Sequence, residues 1–178
     1  GRAIRFTETE ARGMGRSARG VRAISLDEGD SVVGMARVSD NRSLLTVTEK
    51  GFGRRTLVSE YPLRGRGGKG VINYYTRKNG PVAGIRSVDE TDDIFLISDD
   101  GIIIRIGAAE ITMQSRYGGG VRVMRLAEGS KLVTLARAPS EESDGEETDD
   151  IENLDAAEGA EINEEALEQP TEKNAPEE

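Results

Sequence analysis

The chain has no cysteine and no histidine, and three phenylalanines and four tyrosines are its only aromatic residues. Without cysteine it can form neither a disulfide nor a thiolate metal site. Without histidine, and without carboxylates at metal-ligating spacing in residues 1–137, it lacks the usual general bases and zinc ligands. We therefore expect that the chain by itself is not an enzyme and holds no metal or other cofactor.

Long apolar runs are also missing. No run approaches the roughly 18 residues needed to span a bilayer, and no charged and then apolar leader opens the chain. These absences predict a cytoplasmic protein without a membrane partner.

Basic residues are scarce only near the end of the chain. Residues 1–137 hold 23 Lys and Arg against 16 Asp and Glu, a net charge of +7, whereas residues 138–178 hold Lys173 and 17 acidic residues, a net charge of −16. A basic surface favours polyanions, and a strongly acidic segment is typical of disorder. We interpret residues 138–178 as a disordered acidic tail that either competes with a polyanion for the basic body or serves solubility alone.

The most informative pattern is an internal repeat of fifty residues. Residues 1–50, 51–100 and 101–137 align without a gap. The positions identical in all three copies are Gly1/Gly51/Gly101, Arg5/Arg55/Arg105, Glu10/Glu60/Glu110, Arg16/Arg66/Arg116, Gly20/Gly70/Gly120 and Val21/Val71/Val121. A period of this length is typical of stacked repeats and propeller blades, in which each unit buries its apolar face against its neighbour.

Each repeat junction carries a hairpin signal. Residues 44–48 lead through a turn at Gly51 into residues 52–55, and residues 94–98 lead through Gly101 into residues 102–106. Two further strands are expected in each copy. One begins at Val21, Val71 and Val121, and the other covers Val32–Val38, Val82–Val88 and Leu132–Ala136. Positions 21, 32, 33 and 35 of each copy are assigned to the core, including Val32, Val33, Met35, Leu132, Val133 and Leu135.

These strands predict an all-β, propeller-like array of four-stranded blades, with three blades in residues 1–137. Closed propellers typically have about 4 to 8 blades, so we expect an open array. Strand 2–6 has no hairpin partner before it and the chain has no initiating Met, which favours a fragment of a longer protein.

A loop rich in glycine and arginine precedes the Val21, Val71 and Val121 strands. Glycine lets the backbone approach a ligand, and the arginine fork fits phosphate oxygens. Because the loop recurs at one position of the repeat, its cations should line one edge as a track for a polyanion. The candidate binding residues are Arg12, Arg16, Arg19, Arg22, Arg55, Arg64, Arg66, Lys69, Arg116 and Arg122. Two alternatives stay open. The loop arginines could pair with surface carboxylates such as Glu10, Glu60 and Glu110, and the strand arginines Arg5, Arg55 and Arg105 could form structural ion pairs.

Duplex nucleic acid is the favoured polyanion. No aromatic residue recurs at the basic-loop positions, whereas readers of single strands usually stack bases on aromatic rings. No segment is typical of a recognition helix for the major groove. Binding should therefore depend strongly on salt and weakly on sequence. The alternative from another class is a propeller that binds an acidic protein.

Several segments carry a family resemblance. Residues 1–6 (GRAIRF), 51–55 (GFGRR), 11–16 (ARGMGR) and the acidic end closely resemble the C-terminal domain of bacterial DNA gyrase A. The resemblance covers the whole chain and implies a β-pinwheel of about six blades, here the last three, whose basic rim wraps duplex DNA so that strand passage introduces negative supercoils. Residues 64–70 (RGRGGKG) resemble the family's Gln-Arg-Arg-Gly-Gly-Lys-Gly box, but they differ at the first two positions and lie in a later blade. The resemblance therefore assigns DNA contact to Arg66 and Lys69 only.

The same resemblance implies two partners in a heterotetramer, the rest of gyrase A and gyrase B. It places ATP and Mg²⁺ in that holoenzyme and the protein on the bacterial nucleoid. The equivalent domain of topoisomerase IV remains an alternative.

Overall fold

A computed structural model describes residues 1–138, all within one compact unit, Gly1–Glu142. The acidic tail predicted for residues 138–178 lies outside the described residues, apart from Ala138. In residues 1–138, no helix has the length and apolar character to cross a membrane. The same residues hold no group of three or more His, Cys, Asp and Glu side chains placed to bind a metal ion.

Short strands make up most of the regular structure, as expected from the alternating β-rich runs. The strands of residues 1–138 are β1 (Arg2–Ala3), β2 (Ser43–Thr48), β3 (Phe52–Leu57), β4 (Val71–Ile72), β5 (Val82–Val88), β6 (Asp93–Ser98), β7 (Ile103–Gly107), β8 (Val121–Arg122) and β9 (Leu132–Ala138). The helical segments are the 3₁₀ turns Glu8–Glu10, Val58–Glu60 and Ala108–Glu110, which recur every fifty residues, and the helix α1 (Thr76–Asn79).

The two predicted junction hairpins are present. β2 pairs antiparallel with β3, with Leu45 opposite Arg55, and β6 pairs antiparallel with β7, with Leu96 opposite Ile104. The turn residues Gly51 and Gly101 have φ of 74° and 85°, the left-handed region that glycine enters without a steric penalty. The hairpin prediction is confirmed at both junctions.

The sheets do not follow the repeat boundaries. One sheet has the strand order β5-β2-β3-β8, the second has β7-β6-β9, and the third is the pair β1-β4. The four-stranded sheet thus takes β2 from the first repeat, β3 and β5 from the second and β8 from the third. Adjacent repeats are joined by shared sheets as well as by side-chain packing.

The hydrophobic core lies between the two larger sheets. Its buried residues are Leu45, Val47, Val88, Ile94, Leu96, Ala108, Ile111, Met124, Leu132 and Leu135. Of the predicted core positions, Val82, Leu132 and Leu135 are buried, while Val133 is exposed on the outer face of its strand.

The first repeat departs from the prediction. Val32, Val33 and Met35 are exposed by 63%, 52% and 88%, and residues 32–38 form no strand. Their counterparts β5 and β9 pair with β2 and β6, so residues 32–38 would need a strand fifty residues before β2. Residues 1–138 include no such strand, and the prediction of a core strand at residues 32–38 is wrong. For the same reason no strand begins at Val21, since β4 and β8 pair with strands of the preceding repeat.

Candidate nucleic-acid interface

We name the glycine- and arginine-rich loops A (residues 12–20), B (residues 64–70) and C (residues 116–120). Loop B and the segment just before loop C are attached to the preceding repeat by equivalent backbone bonds. The Arg64 N–H donates to the Arg5 carbonyl at 2.9 Å, and the Gln114 N–H donates to the Arg55 carbonyl at 2.8 Å. Because these bonds recur fifty residues apart, the two loops occupy equivalent places in successive repeats.

The recurrent glutamates bind loop backbone. The Arg66 N–H donates to Glu10 Oε2 at 2.9 Å, and the Arg116 N–H donates to Glu60 Oε2 at 2.9 Å. Glu110 instead accepts from the Gly107 N–H at 2.9 Å. Glu10 and Glu60 therefore bind the backbone amides of loop arginines and form no ion pair with an arginine side chain among residues 1–138.

The guanidinium groups of Arg66 and Arg116 also bind the preceding repeat. Arg66 Nη1 donates to the Arg22 carbonyl at 3.2 Å, and Arg116 Nη1 donates to the Ile72 carbonyl at 2.8 Å, fifty residues further on. Arg66 stays exposed, whereas Arg116 is half-buried and its guanidinium lies 5.0 Å from the Tyr117 ring centre. Both arginines thus fasten their loops to the repeat before, a role that sequence reasoning did not separate from phosphate binding.

Close approach of other atoms explains the recurrent glycine at the ends of loops B and C. Gly70 and Gly120 have φ of 65° and 76°. A Cβ on Gly120 would lie 2.1 Å from the Tyr74 hydroxyl, and one on Gly70 would lie 2.1 Å from the Ala3 carbonyl oxygen. Only glycine fits this combination of conformation and contact.

Six predicted site residues present cations without a carboxylate partner among residues 1–138. They are Arg12, Arg16, Arg19, Arg22, Arg64 and Arg122, all exposed. The Arg122 guanidinium lies 5.3 Å from the centre of the Phe52 ring, which leaves its charge free to meet an anion. An unpaired exposed arginine can bind phosphate without first breaking an internal ion pair.

Lys69 is exposed but pairs with Asp27. The hydrogen bond from Lys69 lowers the pKa of the Asp27 carboxyl below its usual value. Such an exposed pair adds little stability, so a phosphate could replace Asp27 at small cost. Arg2, which the sequence analysis left out, donates to the Lys69 and Gly70 carbonyls at 2.7 and 2.8 Å and fixes the end of loop B.

Arg55 must be removed from the candidate set. Its side chain is buried, and its guanidinium donates to the Ile111 carbonyl at 2.8 Å and to Glu90 Oε1 at 3.2 Å. Its counterpart Arg5 similarly donates to the Val58 carbonyl at 3.2 Å and to Asp40 Oδ1 at 2.7 Å. Arg5 and Arg55 are therefore structural, which is the second alternative left open by the sequence.

Comparison with known proteins settles the family. The family model described as "DNA gyrase C-terminal domain, beta-propeller" matches residues 1–39, 42–89 and 92–139. The chain belongs to this family. The DNA gyrase A protein of Pseudomonas aeruginosa is 41% identical over 159 residues, which cover 89% of the chain and 17% of that protein. The gyrase A protein of Escherichia coli K12 is 41% identical over 160 residues, covering 89% of the chain and 18% of that protein.

Solved structures agree with this assignment. A DNA gyrase A C-terminal domain superposes with a TM-score of 0.71 at 31% identity, covering 77% of the chain and 47% of that structure. A C-terminal domain of DNA topoisomerase IV gives 0.73 at 25% identity, covering 79% of the chain and 45% of that structure. The resemblance to the gyrase A C-terminal domain and the all-β, propeller-like fold are both confirmed. The chain spans 17–18% of the length of the two curated relatives named above.

Proposed function

We propose that this chain binds and wraps duplex DNA as a module of gyrase A, in a type IIA topoisomerase. The observation that carries the proposal is that loops B and C are bonded to their preceding repeats in the same way. Equivalent attachment supports the proposal that their cations lie at the same edge of successive repeats. Family membership supports DNA as the polyanion.

Phosphate contacts explain how such an edge would act. Arginines at successive repeats meet successive stretches of backbone, so the duplex follows the edge and bends with it. Bending a site of 20–30 base pairs costs on the order of 1–6 kcal/mol, which several phosphate contacts can offset. In the holoenzyme, the curved path would present a segment for strand passage and so favour negative supercoils.

The acidic tail is part of the proposal. Its 17 carboxylates would compete with DNA phosphates for the basic edge. A short tether holds such a competitor at an effective concentration in the millimolar range, and screening limits its reach to about 8 Å at physiological salt. A full-length variant with every Asp and Glu after residue 138 changed to Asn or Gln should bind duplex more tightly at low salt. Equal affinities would leave the tail a solubilising role only.

The remaining roles belong to the holoenzyme. We propose that the chain acts next to the rest of gyrase A and with gyrase B in a heterotetramer, on the nucleoid in the bacterial cytoplasm. ATP and Mg²⁺ would be used there by other domains. This chain would contribute no reacting group of its own.

A topology assay tests wrapping directly. Nicked circular DNA is sealed by ligase with and without the chain, and the linking number is read on a gel. Wrapping shifts the linking number in proportion to the protein added, whereas simple binding leaves it unchanged. Binding that duplex DNA fails to compete would instead indicate a propeller for an acidic protein partner.

The topoisomerase IV alternative keeps some support from the TM-score of 0.73. The identities of 41% to two gyrase A proteins favour gyrase. Negative supercoiling of relaxed DNA by the complete enzyme, with this domain in place, would decide between them.

A further inference from the structure

The middle repeat has a polar interior beneath loop C. Arg54 is fully buried, with 0% of its surface exposed, and Tyr61, Asn73 and Tyr74 are buried around it. Arg54 Nε donates to Thr56 Oγ1 at 3.1 Å, and its guanidinium lies 4.4 Å from the Tyr74 ring centre. Among residues 1–138, Arg54 forms no ion pair with a carboxylate, and its buried Nη1 has no hydrogen-bond partner. Burial lowers the pKa of the Arg54 guanidinium.

The other repeats show that the fold does not require this polarity. The equivalent residues are Ile4 and Ile104 for Arg54, Phe6 and Ile106 for Thr56, Ala11 and Ile111 for Tyr61, Ala23 and Val123 for Asn73, and Ile24 and Met124 for Tyr74. In the third repeat, Ile111 and Met124 are buried in the hydrophobic core, and Ile104, Ile106 and Val123 pack against it. A buried charge without an ionic partner is costly compared with such an apolar core. The substitution of five neighbouring positions in one repeat therefore calls for a functional explanation.

The polar interior leads to the backbone of loop C. Arg54 Nη2 donates to the Arg116 carbonyl at 2.8 Å. The Tyr74 hydroxyl and Asn79 Nδ2 both donate to the Gly119 carbonyl, at 2.7 and 2.5 Å. In the repeat before, the residues equivalent to these three donors are Ile4, Ile24 and Gly29, which cannot donate from their side chains.

The glycine content of loop C explains why it needs such support. It contains three consecutive glycines, Gly118, Gly119 and Gly120, so ordering it on a ligand would cost more backbone entropy than ordering an ordinary segment. Interior donors to the Arg116 and Gly119 carbonyls fix the loop before binding. They also turn these oxygens, which would repel phosphate, toward the interior.

We propose that Arg54, Tyr74 and Asn79 are positioning residues that hold loop C in its DNA-binding conformation. The unpaired positive charge of Arg54 beneath the loop adds to the attraction for phosphate. This inference rests on the proposed function, because it assigns a purpose to the buried polar cluster only if loop C meets DNA.

The test removes the donors without touching the exposed arginines. The full chain carrying Tyr74→Phe and Asn79→Ala loses both bonds to the Gly119 carbonyl and keeps the ring beside Arg54. Tyr75→Phe is the matched control, since Tyr75 is exposed and makes no such bond. Hydrogen exchange of the amides of residues 116–120, melting temperature and affinity for a fluorescent 40-base-pair duplex are measured for all three proteins.

We expect loop exchange to speed up roughly tenfold and duplex affinity to fall about three- to tenfold in the double variant. The slope of log affinity against log salt should stay as in the parent, because no phosphate contact is removed. Unchanged loop exchange would overturn the inference. Faster exchange with parental affinity would also overturn it and would leave the proposed function standing. A parent chain that binds no duplex would refute the proposed function itself.

A second variant replaces the polar cluster by the residues of the third repeat. It carries Arg54→Ile, Thr56→Ile, Tyr61→Ile, Asn73→Val and Tyr74→Met. The inference is supported if this variant melts cooperatively and shows the same faster hydrogen exchange in loop C and the same loss of duplex affinity as the two-residue variant. Parental affinity in this variant would refute it, and if the variant does not fold, the two-residue variant decides.

Discussion

The exposed, unpaired arginines give the sharpest prediction. Changing Arg12, Arg16, Arg19, Arg22 and Arg64 together to Gln removes five cations that have no ion pair within residues 1–138. Each phosphate contact contributes about 0.9 to the slope of log affinity against log salt, so the slope should flatten by about 4 to 5. When the salt rises from 50 to 200 mM, the affinity of the variant should therefore fall by a factor roughly 500 times smaller than the affinity of the parent chain does.

The assay is fluorescence anisotropy of a labelled 40-base-pair duplex across that salt range. A charge-matched control changes five exposed cations that are not among the predicted site residues, namely Arg37, Lys50, Arg77, Lys78 and Lys131, to Gln. Both variants carry the same net charge and the same tail, so a difference between them reports position alone. Equal slopes for the two variants would refute the idea that these five arginines contact the DNA.

Three further predictions concern stability. Gly120→Ala should lower the free energy of unfolding, measured by urea denaturation, by about 2–3 kcal/mol more than Gly20→Ala. Both glycines have positive φ, but only at Gly120 would the added Cβ clash with neighbouring atoms. Arg55→Met should lower the free energy of unfolding by about 2–4 kcal/mol, because the carbonyl groups of Ile111 and Ala109 lose their hydrogen-bond donor. The slope of log DNA affinity against log salt should stay unchanged, and a changed slope would contradict the structural role of Arg55. Burial raises the pKa of the Tyr61 hydroxyl, so its contribution to stability is complete below about pH 10 and declines as the pH rises further. Tyr61→Phe should remove that part of the alkaline destabilisation, and identical pH profiles of the two proteins from pH 8 to 11.5 would contradict the assignment.

Local signals in the sequence predicted the elements well. Gly51 and Gly101 mark the two hairpins because a tight turn needs positive φ regardless of what surrounds it. The recurrent glycines Gly70 and Gly120 likewise mark the positive-φ residue that precedes β4 and β8. These features depend on a few residues that are neighbours in the sequence, so they can be predicted without knowledge of the fold.

Features that depend on another repeat were predicted poorly. Met35 has the apolar character of a core residue, but burial there requires a partner strand that is absent from residues 1–138. Arg64 and Arg55 are the same residue type, yet one is exposed and the other donates to the Ile111 carbonyl. Backbone carbonyls from a preceding repeat leave no mark on composition or spacing, so the fastening role of Arg66 could not be seen.

The strand order β5-β2-β3-β8 has a consequence for how such arrays grow and how they can be cut. A duplicated stretch of fifty residues finishes the sheet begun by the copy before it and starts one that the next copy must finish. Fragments or transplants trimmed at residues 50 and 100 would separate hydrogen-bonded neighbours, whereas residues 43–122 keep the four-stranded sheet whole.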